Sequence, residues 1–199
     1  MMYLLSILLC AAVVAVIDII FAAPVYNLSA LYIIVAVLIY VVVVIVIDGI
    51  FATFVRWLLP QKWFGVDKAF FAASKRTCRF YEKIGVKKWK DKILELGMFT
   101  AFSKSKIADP TNNEYIARYI MEANYGIAVH FSGIVFGFLI MVIYPPYWLI
   151  FGLPVSIVNA VYNYLSFVIL RYNLPKLHTL YKFNERRRKA QEEKQRDIA

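Results

Sequence analysis

The residues whose chemistry stands out are His130 and Glu122, in the stretch MEANYGIAVHFS at 121–132. An imidazole takes and returns a proton near neutral pH, and a carboxylate can orient it or accept a hydrogen bond from a substrate hydroxyl. On a helix, eight residues correspond to about 80° around the axis and roughly 12 Å along it, so the two side chains can line one cavity without touching. Arg118 stands four residues before Glu122 and can pair with it on one face. Asn124 and Tyr125 add polar groups, and Gly126 would let another helix or a ligand approach the backbone closely.

A second polar set lies in the apolar stretch WLIFGLPVSIVNAVYNYLSFVIL, where Asn159, Asn163 and Ser166 recur at three- and four-residue steps. Such a stripe is not expected to face lipid. It is expected either to face His130 across a helix interface or wet cavity, or to serve as interhelical hydrogen-bond glue. Asp48, inside another apolar run, is a candidate intramembrane acid. Asp18 holds the equivalent place in a similar decapeptide, VVAVIDIIFA against VVIVIDGIFA, and is expected to reach interfacial water at a helix end. Other chemistries find no support. The chain has no G-x-S-x-G elbow, no glycine-rich phosphate loop and no H-E-x-x-H, and its only histidines are His130 and His178. A metal site is therefore not expected. Cys10 and Cys78 read as packing residues at different depths, so no disulfide is expected.

These groups are set in a chain of 199 residues that is 61% hydrophobic and 17% aromatic, with a net charge of +10. That composition is an integral membrane protein's. Four apolar runs predict an all-α fold with transmembrane helices at about 3–23, 30–57, 123–144 and 147–170, forming one membrane domain. The first run lacks a basic flank and is too long for a signal peptide's apolar region, so it reads as a retained span. Pro24, Pro60 and the Pro145-Pro146 pair mark the turns. All 23 Lys and Arg fall within 56–118 or from 171 onward. By the positive-inside rule the basic segment 58–122, the tail 171–199 and both termini are then cytoplasmic.

Within the basic segment, DKAFFAASKRTCRFYEKI places Phe70, Phe71, Ser74, Cys78 and Tyr81 near one face at helical spacing, with cations elsewhere around it. This predicts an amphipathic helix between spans two and three, lying on anionic lipid or packed on the other spans. Nucleic acid is not an expected partner. Asp109-Pro110 is expected to cap and begin the helix that carries Glu122 and His130. Asn27-Leu28-Ser29 matches a glycosylation pattern, but lies too near the expected membrane surface to be credited.

Three pieces, KIGVKKWKDKI, EANYGIAVH and LRYNLPKL with its basic tail, occur in an order that resembles the glycosyl-4,4'-diaponeurosporenoate acyltransferase family of small bacterial membrane proteins. The resemblance covers roughly 83–188. It implies transfer of a fatty acyl group to a sugar hydroxyl of a glycosylated carotenoid. The acyl donor would be a co-substrate such as acyl-CoA or an acyl carrier protein, with no further cofactor, in the bacterial cell membrane with the site towards the cytoplasm. The matching positions are Lys88, Trp89, Lys90 and Lys92, then Glu122 and His130, then Arg171, Tyr172, Asn173 and Pro175. On this basis His130 and Glu122 are the expected catalytic pair. Lys88, Trp89, Lys90, Lys92, Arg118, Asn124, Tyr125, Asn163, Arg171, Tyr172 and Asn173 are the expected substrate-binding residues. Rival readings are another lipid-modifying transferase, such as a methyltransferase, or a non-catalytic four-helix scaffold.

Overall fold

The computed structural model describes residues 2–90, 107, 109–142 and 147–197. Among them there is no strand. The helices are α1 (Met2–Phe21), α2 (Ala23–Tyr26), α3 (Ala30–Trp57), α4 (Lys75–Lys83), α5 (Val86–Trp89), α6 (Asn113–Phe136) and α7 (Leu153–Arg196). A 3-10 segment, Gly137–Val142, prolongs α6, and a π turn, Trp148–Gly152, leads into α7. Three helical stretches are long and apolar enough to cross a membrane: Ala30–Trp57, Asn113–Val142 and Trp148–Arg196. Leu5–Phe21 is a shorter apolar helix. The chain divides into two compact units, residues 1–58 with 128–167 and residues 59–127 with 168–199.

In the first unit α1 packs on α3, and α3 packs on the segments that follow α6 and precede α7. The inward stripe of α3 is Ile33, Val37, Tyr40 and Val44, at steps of four, three and four. Its outward positions, Leu31, Val35, Leu38, Ile39, Val42 and Ile45, are equally apolar and exposed. A helix apolar on every side with one side uncovered suits hydrocarbon rather than water. Asp48 stands four residues beyond Val44 and so continues the inward stripe. Asp18 does the same on α1, following Ala11, Val14 and Ala15. It is only 6% exposed, and its Oδ2 meets no hydrogen-bond partner among the described atoms. The expectation that Asp18 reaches interfacial water is therefore corrected: the register of α1 turns it into the protein.

In the second unit α6 buries Ile116, Ile120, Ala123 and Ile127, and α7 buries Leu170, Leu174 and Leu177. Two sequence expectations change here. The α6 cap is Asn112, whose Oδ1 accepts from Tyr115 N at 3.1 Å, whereas Asp109 closes the preceding turn on Thr111 N and Asn112 N. The amphipathic segment is also not one helix. Residues Ala69–Phe71 form a 3-10 turn, Ala72 is extended, and α4 begins only after Ser74, whose hydroxyl accepts from Thr77 N. Phe70 and Phe71 thus do not share a helical face with Cys78 and Tyr81.

The break has a backbone cause. Pro175 sits inside α7 and has no N–H, so the carbonyl of Arg171, four residues earlier, loses its helical donor. Ala73 N takes that place, donating to Arg171 O at 3.2 Å. Arg171 Nε donates in turn to Phe71 O at 3.1 Å. Gly85, with φ of +79°, ends α4 in the left-handed conformation that glycine adopts without a Cβ penalty, and α5 starts directly after it.

Candidate functional site

His130 lies on α6 within the first unit, beside a cluster of polar side chains. Its Nδ1 is 2.9 Å from Asn163 Oδ1. Asn163 Nδ2 donates to Asp48 Oδ2 at 2.9 Å, and to the carbonyl and the side-chain oxygen of Asn159, each at 3.2 Å. Asn159 Nδ2 approaches Asp48 Oδ1 at 3.3 Å and the carbonyl of Gly133 at 3.4 Å. Three helices are thereby joined: α3 supplies the carboxylate, α7 the two amides and α6 the imidazole. The asparagines thus link helices by hydrogen bonds, and Asn163 faces His130 across a helix interface.

The amides fit because α6 presents glycines where they lie. A Cβ built at Gly133 would come within 2.7 Å of Asn163's amide atoms, and one at Gly137 within 2.4 Å of Asn159 Nδ2. Ser156 Oγ also donates to Gly137 O at 3.3 Å. Sequence reading passed over these glycines, although GIVFG is the small-x-x-x-small spacing that lets helices approach closely in membranes. Asn159, noted there only as part of the stripe, holds both Asp48 and Asn163.

The remaining candidates lie in the second unit. Glu122 and Arg118 line an open groove of about 500 Å³ with Gln61, Gly65, Ala117 and Met121. Asn124 is fully buried, and its Nδ2 donates to Phe64 O at 2.9 Å and Gly65 O at 3.2 Å. Tyr125 stacks on Phe64 with centroids 4.0 Å apart. These two neighbours thus fasten the 61–65 turn to α6. Replacing Asn124 with leucine strands two carbonyls and is expected to destabilise the protein by about 1–3 kcal/mol, read as a lower thermal midpoint in detergent.

Tyr172 Oη donates to Glu82 Oε1 at 2.8 Å, and Lys87 Nζ meets the same oxygen at 2.8 Å. Lys176 Nζ lies 4.6 Å from the Tyr172 ring centroid. Trp89 Nε1 donates to Ile84 O, Lys88 is exposed, and Lys90 and Asn173 are half-buried. Lys92 lies outside the described residues. The Lys87 hydrogen bond, and then that of Tyr172, hold the Glu82 carboxyl below the usual carboxylate range. A depressed folded value stabilises the fold above the unfolded value and stops doing so as pH falls through the folded one. Acidification is therefore expected to loosen α4 and α5, seen as faster proteolysis around Gly85. Glu82→Gln should be loosened already at neutral pH and lack that acid step.

The profile of the glycosyl-4,4'-diaponeurosporenoate acyltransferase family matches residues 60–183. The chain belongs to this family. Neither curated proteins nor solved structures give a match. The match starts earlier than the resemblance read from the sequence and takes in the 61–65 turn. Glu122, His130, Asn159 and Asn163 of this diaponeurosporenoate acyltransferase family member fall inside it, and Asp48 falls outside.

Proposed function

We propose that the protein transfers a fatty acyl group from a thioester donor to a hydroxyl of a glycosylated carotenoid or related glycolipid, with His130 as general base. The observation that carries this reading is the 2.9 Å contact between His130 Nδ1 and Asn163 Oδ1, which holds an imidazole at a fixed angle among apolar helices. Family membership supplies the class of reaction. His130 takes the proton of the acceptor hydroxyl as its oxygen attacks the thioester carbonyl carbon, giving a tetrahedral intermediate. Collapse breaks the C–S bond, and the imidazolium returns its proton to the leaving thiolate. The product is an ester and a free thiol.

Glu122, in its groove with Arg118, takes the role of binding a substrate hydroxyl, because the imidazole's orienting partner is Asn163. Lys88, Lys90 and Arg118 supply cations suited to a phosphate-bearing carrier. In this proposal α1 is a fourth span, both basic regions lie on the cytoplasmic side of a bacterial cell membrane, and the carrier arrives there.

The test is lipid mass spectrometry of membranes with and without the protein, supplied with glycosylated carotenoid and acyl-CoA. A carotenoid glycoside heavier by one acyl group, formed only with the protein, is the expected result. Identical lipids in both, with acyl carrier protein donors tried as well, would sink the enzyme reading in favour of a membrane scaffold.

A further inference from the structure

Asp48 is a half-buried carboxylate turned from an apolar helix towards α7, and the family match does not reach it. Its surroundings define what it does. The polar contacts described for its two oxygens are with amide nitrogens, Asn159 Nδ2 at 3.3 Å and Asn163 Nδ2 at 2.9 Å. An ionised carboxylate only accepts hydrogen bonds, so it demands the N–H side of each amide. The other neighbours of those nitrogens agree. Gly133 O faces the Asn159 nitrogen, and the Asn159 carbonyl and side-chain oxygen face the Asn163 nitrogen, all of them acceptors. Neither amide can be turned over without setting N–H against N–H or oxygen against oxygen.

One consequence reaches the imidazole. With Asn163 Nδ2 committed to Asp48, Asn163 must show its oxygen to His130 Nδ1, and an oxygen there requires Nδ1 to carry the proton. The neutral ring is then the Nδ1–H tautomer, with its basic lone pair on Nε2. We propose that Asp48 is a positioning residue that fixes the tautomer of His130 through the amide of Asn163. In this role it acts through Asn163 and not on the substrate. The catalytic value of this role rests on His130 being the base proposed above, whereas the tautomer itself does not.

Asp48→Asn is the discriminating change, because it keeps the shape while replacing one acceptor by a donor. The new amide can receive only one of the two N–H groups on its oxygen, and its own NH₂ faces the other. Turning Asn163 over meets the new NH₂ with an oxygen, at the cost of setting that oxygen against the Asn159 carbonyl and side-chain oxygen, and it presents N–H to His130 Nδ1, which must then accept and leave the proton on Nε2. A base with its proton on the wrong nitrogen is expected to lose roughly 10²- to 10⁴-fold in kcat, while KM for the acceptor stays within about twofold. Asp48→Glu, which keeps two acceptor oxygens, should recover part of the rate.

The measurement is ¹⁵N NMR of histidine-labelled full-length protein in bilayers, at a pH where the ring is neutral, with His178→Gln leaving His130 as the single signal. The expected spectrum has a pyrrole-type Nδ1 and a pyridine-type Nε2 before substitution, and the reverse in Asp48→Asn. Protonated Nε2 in the chain with Asp48 intact overturns the proposal even where the variant fails to fold. An unchanged tautomer and rate in a folded Asp48→Asn protein overturns it as well. Should the tautomer reverse as expected while a His130→Ala protein still acylates lipid, the role of Asp48 stands and the general-base reading falls.

Discussion

Replacing His130 by glutamine is expected to lower acyl turnover by about 10²- to 10⁴-fold, the usual range for losing a positioned general base. Glutamine is a sharper probe than alanine. Its side-chain NH₂ can still donate to Asn163 Oδ1, so the polar cluster of Asp48, Asn159 and Asn163 keeps its partner and no cavity opens. What disappears is a nitrogen that can hold and release a proton near neutral pH. Thermal stability should therefore change little, and binding of acceptor lipid should persist while the initial rate of ester formation collapses. A glutamine variant that retains full turnover would remove His130 from the mechanism, whatever happens to stability.

Gly133→Ala is expected to do damage of another kind. In an ordinary helix interior alanine is preferred to glycine by roughly 0.5–1 kcal/mol. Here that gain is outweighed, because the added Cβ would sit 2.7 Å from the amide atoms of Asn163. The amide is not a loose side-chain end that can swing away, since its nitrogen is held by Asp48 and Asn159 and its oxygen by His130. Forcing such a site apart costs about 1–3 kcal/mol. Both stability and turnover should fall, and a lower melting midpoint measured alongside the rate separates this outcome from the glutamine one. Gly137→Ala meets Asn159 Nδ2 more closely still, at 2.4 Å, and should weaken the same cluster from its other end.

The membrane character and helical content were legible from composition and apolar run length, because those depend on many residues at once. Asp48, Asn163 and His130 were each picked out as polar residues in apolar helices. Their connection was not legible, since no spacing along one helix reports which residue of another helix lies opposite. Eight residues of helix let Glu122 and His130 line one cavity without touching and leave Glu122 either to orient the ring or to bind a hydroxyl, and nothing in that spacing points to Asn163, which meets the ring at 2.9 Å. The long amphipathic helix was misread for a related reason. Side-chain periodicity through 67–84 is helical, but a backbone carbonyl about a hundred positions away decides where Ala73 donates, and side-chain patterns carry no record of that.

The proline in α7 gives this last point a wider reach. By withholding one N–H, Pro175 turns the Arg171 carbonyl into a socket, and the plug is the peptide nitrogen of Ala73. Neither half of that joint is itself a side chain, so residue types at 71–74 can drift without undoing it, provided position 73 keeps an amide hydrogen and position 175 its proline. A search for recognisable residues would find only the proline, and would mistake a fastening point for a defect in the helix.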